Sequence, residues 1–417
     1  MRYCVRCLYP ESHPLGLVID DAGVCSGCRV HEEKDSLDWD ERFDALKKLA
    51  ERFRAGSRDT HDCIVPVTGA RDSWFTVHVV KNLLGLNPQL VSYNRQFNTP
   101  VGIRNLANLR TIFNCDLLAR TAAPEATKAV TRAALAERGS VYWHVLAGQS
   151  AFAAQCAVRH KIPLVIWGAH QGLDQVGMFS HLDEVEMTRR YRHEHDLMGL
   201  EIEDLAKAHP ELEHYNLDPW DYPFDEEIEA IGVRGIHLGN YIRWDSKAQH
   251  EAMIDRFGYE TAPQQRTFDT YNDVDCFHYA GLHDAIKFRK HGYGKATDHA
   301  TREIRLRRMT REQGMALASR YRDVEPADTS LMTEWLGIDE AELWSQVDRH
   351  RNQDIWKRAE TGWELRDPVE NHADDPGVED ARLDPSGDDC EFRLTPPAAD
   401  DSGSGYVLIG RGYVEPA

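Results

Sequence analysis

The apolar positions of this chain fall into two periodicities. Over residues 40–54, DERFDALKKLAERFR, Phe43, Leu46, Leu49, Ala50 and Phe53 recur at three- and four-residue intervals, which predicts an amphipathic helix. From residue 62 onward short β-rich runs alternate with helical stretches. CIVPV reads as a strand, SWFTVHVVKNLLG as a helix, QLVSYN as a strand and TPVGIRNLANLRTIF as a helix. A short DLL strand, helical stretches over 125–138 and 147–160, and the strand PLVIWG follow. This alternation predicts an α/β fold: a parallel, doubly wound sheet with helices on both faces.

Beyond about residue 185 the pattern becomes richer in helix and aromatics, and residues 310–322 and 338–358 read as charged amphipathic helices. After about residue 366 Pro, Gly, Asp and Ser dominate, the composition of a weakly ordered acidic tail with one short strand at YVLIG. Four regions are expected: a cysteine-bearing knuckle over 1–35, the α/β domain over 36–185, a mixed, largely helical region over 186–365, and the tail over 366–417.

At 417 residues, 41% hydrophobic and 28% charged, the chain has room for two or three domains with a sizeable core. It contains no run of about 18 apolar residues and opens on MRYCVRCLYP, so neither a membrane span nor a secretory leader is expected and a cytoplasmic location follows. The net charge of −20 argues against a general nucleic-acid binder. Much of that acidity lies in the tail, and the basic stretch KFRKHGYGK, Lys287 to Lys295, leaves room for a pocket that takes a small anion.

Nine cysteines include Cys4-x2-Cys7 and, seventeen residues later, Cys25-x2-Cys28. Each pair lets two thiolates reach one tetrahedral ion, so the spacing predicts a structural Zn²⁺ site; four unrelated buried cysteines are the plain alternative. Cys63, Cys115, Cys156 and Cys276 sit in apolar contexts and read as buried small hydrophobes.

Three further stretches could carry chemistry. In IVPVTGARDSW a strand breaks into Thr68-Gly69-Ala70-Arg71-Asp72-Ser73 and then a helix begins, a junction that suits an anion. There Thr68 and Ser73 offer hydroxyls, Arg71 a bidentate guanidinium, and Asp72 a helix cap or a Mg²⁺ ligand. The same residues also make an ordinary turn with an N-cap. A second glycine junction, Trp167-Gly168-Ala169-His170, ends the last strand of the same sheet, with Ser92–Asn94 at a strand end between them. Ligands of open parallel sheets sit at such carboxyl ends. In GYGKATDHATREIR, Lys295, Thr297, Asp298, His299, Arg302 and Arg305 suit a phosphate or a sugar, or else form a solvated helix start. Asp245 and Lys247 in YIRWDSK are open between a carbohydrate site and a plain surface.

These motifs, in this order, resemble the N-acetyl sugar amidotransferases of surface-polysaccharide and nonulosonic-acid biosynthesis, members of the PP-loop, HUP-like ATPases. The resemblance runs from Met1 to about Trp356 through the paired CxxC opening, DCIVPVTGARDS, KIPLVIWG, LGNYIRWDSK and GYGKATDHATREIR with the following MTREQ. It implies that ATP activates the amide oxygen of an N-acetyl group on a nucleotide-linked sugar. Ammonia, supplied by a partner glutaminase with a cyclase-like subunit as a further candidate, then displaces AMP and leaves an acetamidino group.

Carried over by residue, Thr68, Gly69, Ala70, Arg71, Asp72 and Ser73 become the pyrophosphate loop. Ser92 and Asn94 fall near the adenosine, and Gly168 beneath the nucleotide. Arg71, Asp72, Lys295, Asp298 and His299 fall on the catalytic face. Asp245, Lys247, Arg302 and Arg305 fall on the substrate side. Cofactors implied are ATP, Mg²⁺ and a structural Zn²⁺; nucleic acid and membrane are not expected as partners. The chain departs from the family loop, SGGKDS, at Ala70 and Arg71, and from Glu-Asn after IWG at Ala169-His170. Ala70 would be strained at any positive φ. A sulfur-transferring PP-loop enzyme and a scaffold that has lost turnover are the two competing classes.

Overall fold

Each apolar run after residue 62 becomes a strand: Cys63–Pro66 (β1), Pro88–Tyr93 (β2), Asp116–Arg120 (β3) and Leu164–Trp167 (β4). The computed structural model describes residues 1–54, 61–70, 72–360, 362–378 and 390–396. With Arg234–His237 (β5) added, all strands of the main sheet are parallel, in the order β3-β2-β1-β4-β5. Successive side chains point to opposite faces. Val65, Leu90, Leu164 and Ile166 therefore pack with Trp74, Val77, Leu109 and Phe113 on one face. Ile64, Val91 and Val165 pack with Phe152, Ala153 and Ala157 on the other. A sheet buried on both faces explains why its strands read as continuous apolar runs.

The helices begin and end where their local chemistry dictates. Asp38 accepts from the Asp40 and Glu41 N–H groups to start Trp39–Phe53, and Thr99, with Pro100 after it, caps Pro100–Ile112. Gly139, in the left-handed region at φ 56°, ends Pro124–Arg138, and Trp143–His160 leads back to β4. The chain thus steps outward from β1 through β2 to β3, then crosses back to β4 on the other side of β1. That reversal opens a crevice between the carboxyl ends of β1 and β4.

Three elements differ from the sequence reading. A fifth strand, Arg234–His237 (β5), extends the sheet beyond β4. RGIH carries a single strongly apolar residue, and Gly235 is required because a Cβ there would lie 2.6 Å from Met187 Cβ. The helix expected over 338–358 stops at Asp348. An Asn352 side chain that accepts from the Asp354 N–H turns the chain, as asparagine commonly does. Trp356–Ala359 (β6) then pairs antiparallel with Gly362–Leu365 (β7). Part of the acidic tail folds back: Thr395 and Thr261 exchange hydrogen bonds, and Phe392 packs on Tyr271 at 4.8 Å. YVLIG lies outside the described residues. No helix among the described residues is long and apolar enough to cross a membrane.

Candidate active-site crevice

The crevice at the β1/β4 reversal encloses about 890 Å³, a volume in the range of small-molecule sites. Thr68, Asp72, Ser73, Gly168, Lys295, Asp298, His299, Arg302 and Arg305 all border it. Residues separated by more than two hundred positions thus meet at one strand-end opening.

At the β1 end the turn is closed on itself. The Thr68 N–H donates to Ser73 Oγ (2.9 Å), and the Ala70 N–H donates to Thr68 Oγ1 (3.1 Å). Asp72 Oδ1 accepts from Ser246 Oγ (3.1 Å), with His250 Nδ1 4.0 Å away. Gly69 is needed for packing: a Cβ there would stand 2.0 Å from the Gly102 carbonyl oxygen on the Pro100–Ile112 helix. Ala70 is fully buried and is not among the described residues of positive φ, so its methyl fills core without strain. Arg71 lies outside the described residues.

The β4 end is different. His170, 3% exposed, has no hydrogen-bond partner among the described residues at either ring nitrogen. Its ring packs against Tyr191 (4.3 Å) and His237 (4.5 Å), and burial holds its pKa down to about 4. Tyr191 continues to His195 (4.8 Å) and into a π-turn, Arg192–Asp196, a local geometry frequent at functional sites. Asp196 borders the crevice. Burial pushes its carboxyl up to about 7, against the pull of Arg192, whose guanidinium is engaged by Glu201 and Ser150 Oγ. Sequence reasoning missed this group, although YRHEHD is dense in titratable residues.

The facing wall is one stripe of the helix Lys295–Arg305. Lys295 Nζ donates to Asp273 (2.6 Å) and sits 3.5 Å over the Tyr279 ring. Asp298 accepts from Tyr9 Oη (2.9 Å) and Gln175 Nε2 (3.1 Å), and pairs with Lys287. His299 Nδ1 lies 2.6 Å from Thr267 Oγ1; burial lowers its pKa, opposed by Asp269. Arg302 binds Asp269 (2.8 Å) and Glu303 (2.6 Å).

Besides Gly69 and Ala70, which pack into the core, four expected residues stand away from the crevice lining. Strand alternation turns Ser92 away from Val91 and Tyr93, which do border the crevice. Asn94 is consumed by its turn, accepting from the Gln96 N–H and Asn98 Nδ2 and donating to Thr121. Asp245 caps the helix Ser246–Phe257 and binds Arg308 at 2.7 and 3.0 Å. Lys247, on the same helix, pairs with Glu251 (2.7 Å) near the Phe392 ring.

Beyond the stripe lies the cysteine cluster. The Sγ atoms of Cys4 and Cys28 are 3.9 Å apart, those of Cys7 and Cys25 3.6 Å, and all four lie within 4.8 Å of one another, fully buried. A tetrahedron with metal–sulfur bonds of ~2.3 Å separates its sulfurs by about 3.8 Å, so the cluster fits an ion such as zinc. Backbone N–H groups of Arg6, Cys7 and Cys25 point at Cys4 Sγ (3.4, 3.4 and 3.3 Å). Arg305 directs its guanidinium here rather than across the crevice, reaching Cys28 and Cys25 Sγ at 3.4 Å each.

A search among curated proteins finds no match. The family model described as LPS biosynthesis protein WbpG-like, C-terminal domain, matches residues 265–368. Over that segment, which includes the whole charged stripe from Lys295 to Arg305, the chain is similar to the C-terminal domain of proteins of lipopolysaccharide biosynthesis.

Proposed function

We propose that the protein is an ATP-dependent, AMP-forming amidotransferase that converts the N-acetyl group of a nucleotide-linked sugar to an acetamidino group. The reading is carried by one juxtaposition: the β1/β4 reversal, with Thr68, Asp72, Ser73 and Gly168, faces a charged helix from a segment similar to a lipopolysaccharide-biosynthesis domain. ATP would take the strand-end side. Mg²⁺, with Asp72 as the carboxylate that would hold it, would offset phosphate charge.

In this scheme the amide oxygen attacks the α-phosphorus and pyrophosphate leaves. Ammonia from a glutaminase partner then adds to the imidate carbon, the carbon–oxygen bond breaks, and AMP departs with the electron pair. One proton must leave the incoming nitrogen as the amidinium forms. Asp196, a crevice carboxyl with no hydrogen-bond donor among the described residues, is suited to accept it. Sulfur transfer is disfavoured, since no cysteine is among the residues described as bordering the crevice.

The test is to supply ATP, Mg²⁺ and ammonium to the full chain with a panel of nucleotide-linked N-acetyl sugars. Ammonia-dependent AMP, pyrophosphate and amidine product are expected. Binding of ATP without turnover on any such sugar would leave the scaffold class standing, and no Mg²⁺-dependent ATP binding would refute the nucleotide assignment.

A further inference from the structure

The cysteine cluster raises a charge problem. Four thiolates around a divalent ion carry a net charge of −2, and in a buried site that charge needs cations close by. Arg305, at the end of the Lys295–Arg305 helix, points Nε and Nη2 at Cys28 and Cys25. Arg311, at the start of Arg311–Arg322, donates Nε to the Cys7 carbonyl (3.2 Å). Two cations thus balance the site, both from the segment matched by the WbpG-like model.

Arg305 is also fastened to the crevice. Its Nη1 donates to the carbonyls of Asp174 (3.1 Å) and Gln175 (2.7 Å), in the turn that follows His170. Gln175 and Tyr9, the latter on the knuckle, both donate to Asp298. The fit leaves no slack: a Cβ on Gly27 would lie 2.3 Å from Arg305 Nη2. On the same helix stripe, Lys295, Asp298, His299 and Arg302 border the crevice.

We propose that Arg305 is the outer partner of the metal centre and that metal occupancy, acting through it, fixes the crevice-facing stripe of the Lys295–Arg305 helix. The knuckle is then a wall of the site, and its metal a determinant of how that site is set. This stands independently of the amidotransferase reading, because neither ATP nor a sugar enters its test.

Zinc-loaded full-length protein, R305M and R305K are compared by competition with a chromophoric chelator and by amide hydrogen exchange. R305M is expected to weaken zinc binding ~10- to 100-fold, the usual effect of losing an outer-shell partner, with R305K between it and wild type. Stripping zinc from the wild type is expected to raise exchange over 295–305 and 171–175 while β1, β2 and β4 stay protected. A folded R305M with wild-type zinc affinity overturns the first part, and unchanged exchange over 295–305 after stripping overturns the second. If R305M does not fold, R305K decides by the same competition: undiminished affinity overturns the assignment and weakened affinity supports it.

Discussion

The two strand ends that frame the crevice handle their polar groups in opposite ways. At the end of β1, Thr68, Ala70 and Ser73 satisfy one another within a single turn, and Gly69 lets that turn lie against the Gly102 backbone. At the end of β4, both His170 nitrogens are buried without partners among the described residues, and the Asp196 carboxyl nearby is held up by burial. A buried polar group without a partner costs about 1–3 kcal/mol. The β1 turn is therefore built to hold its shape, whereas the β4 end holds groups whose partners would arrive with a ligand.

The contrast breaks most sharply at Gly69. Gly69→Ala places a methyl 2.0 Å from the Gly102 carbonyl oxygen, which is backbone and cannot swing aside. We expect a loss of about 3 kcal/mol or more, read as the urea midpoint of the full chain. A cost under ~1 kcal/mol would show that the turn is not locked against the Pro100–Ile112 helix.

Asp196→Asn tests the β4 side with two readouts. If Asp196 takes the ammonia proton, the variant loses amidine formation by about 100-fold or more, while pyrophosphate release with sugar and ATP persists. At a fixed concentration of free ammonia, wild-type amination should rise as pH passes about 7, where the carboxyl ionises, and the variant should lose that rise. The stability sign follows from burial. With the folded pKa above the unfolded one, the native state holds more protons between them, so the wild type loses stability as pH climbs from about 4 to about 7. The neutral amide of the variant lacks that penalty, and its Tm advantage should be larger at pH 8 than at pH 5. Equal Tm differences at both pH values would remove Asp196 as a buried, proton-holding group.

His170→Leu asks whether the unpartnered imidazole is a cost carried for function. Burial already keeps the ring neutral near pH 7, so replacing it with an apolar side chain removes two unsatisfied nitrogens. A gain of about 1 kcal/mol is expected, together with weaker binding of whatever ligand the crevice takes. A loss of stability would mean that the rings of Tyr191 and His237 depend on the imidazole for packing.

How far the sequence foretold this arrangement depends on what kind of signal each part carries. β1, β2 and β4 were legible because burial on both faces leaves uninterrupted apolar runs, and the CxxC pairs because metal geometry imposes a spacing. β5 was not, since RGIH takes its place from neighbours such as Met187 rather than from its own propensity. Arg305 looked like a substrate ligand because its helix carries a charged stripe; that the last residue of the stripe turns to cysteines 277 and 280 positions away is a tertiary fact. Asp245 and Lys247 were drawn in by polar residues beside aromatics, a pattern that a helix cap and an i,i+4 pair produce equally well.

Ala70 gives the smallest effect and the finest discrimination. Where the amidotransferase loop has a glycine, this chain has a methyl packed among Val67, Trp74 and their neighbours in the core beneath the sheet. The left-handed φ that would make alanine costly does not occur there. Ala70→Gly should therefore not relieve strain; it should cost about 1 kcal/mol from the lost methyl and the greater freedom of the unfolded chain. Turnover, where it is measured, should change less than twofold, since the turn's hydrogen bonds run through Thr68, Ser73 and the Ala70 backbone rather than through its side chain. A stabilised A70G, or one with several-fold higher turnover, would mean that the working loop adopts a backbone that only glycine enters freely, and that the self-satisfied turn at β1 is its resting form.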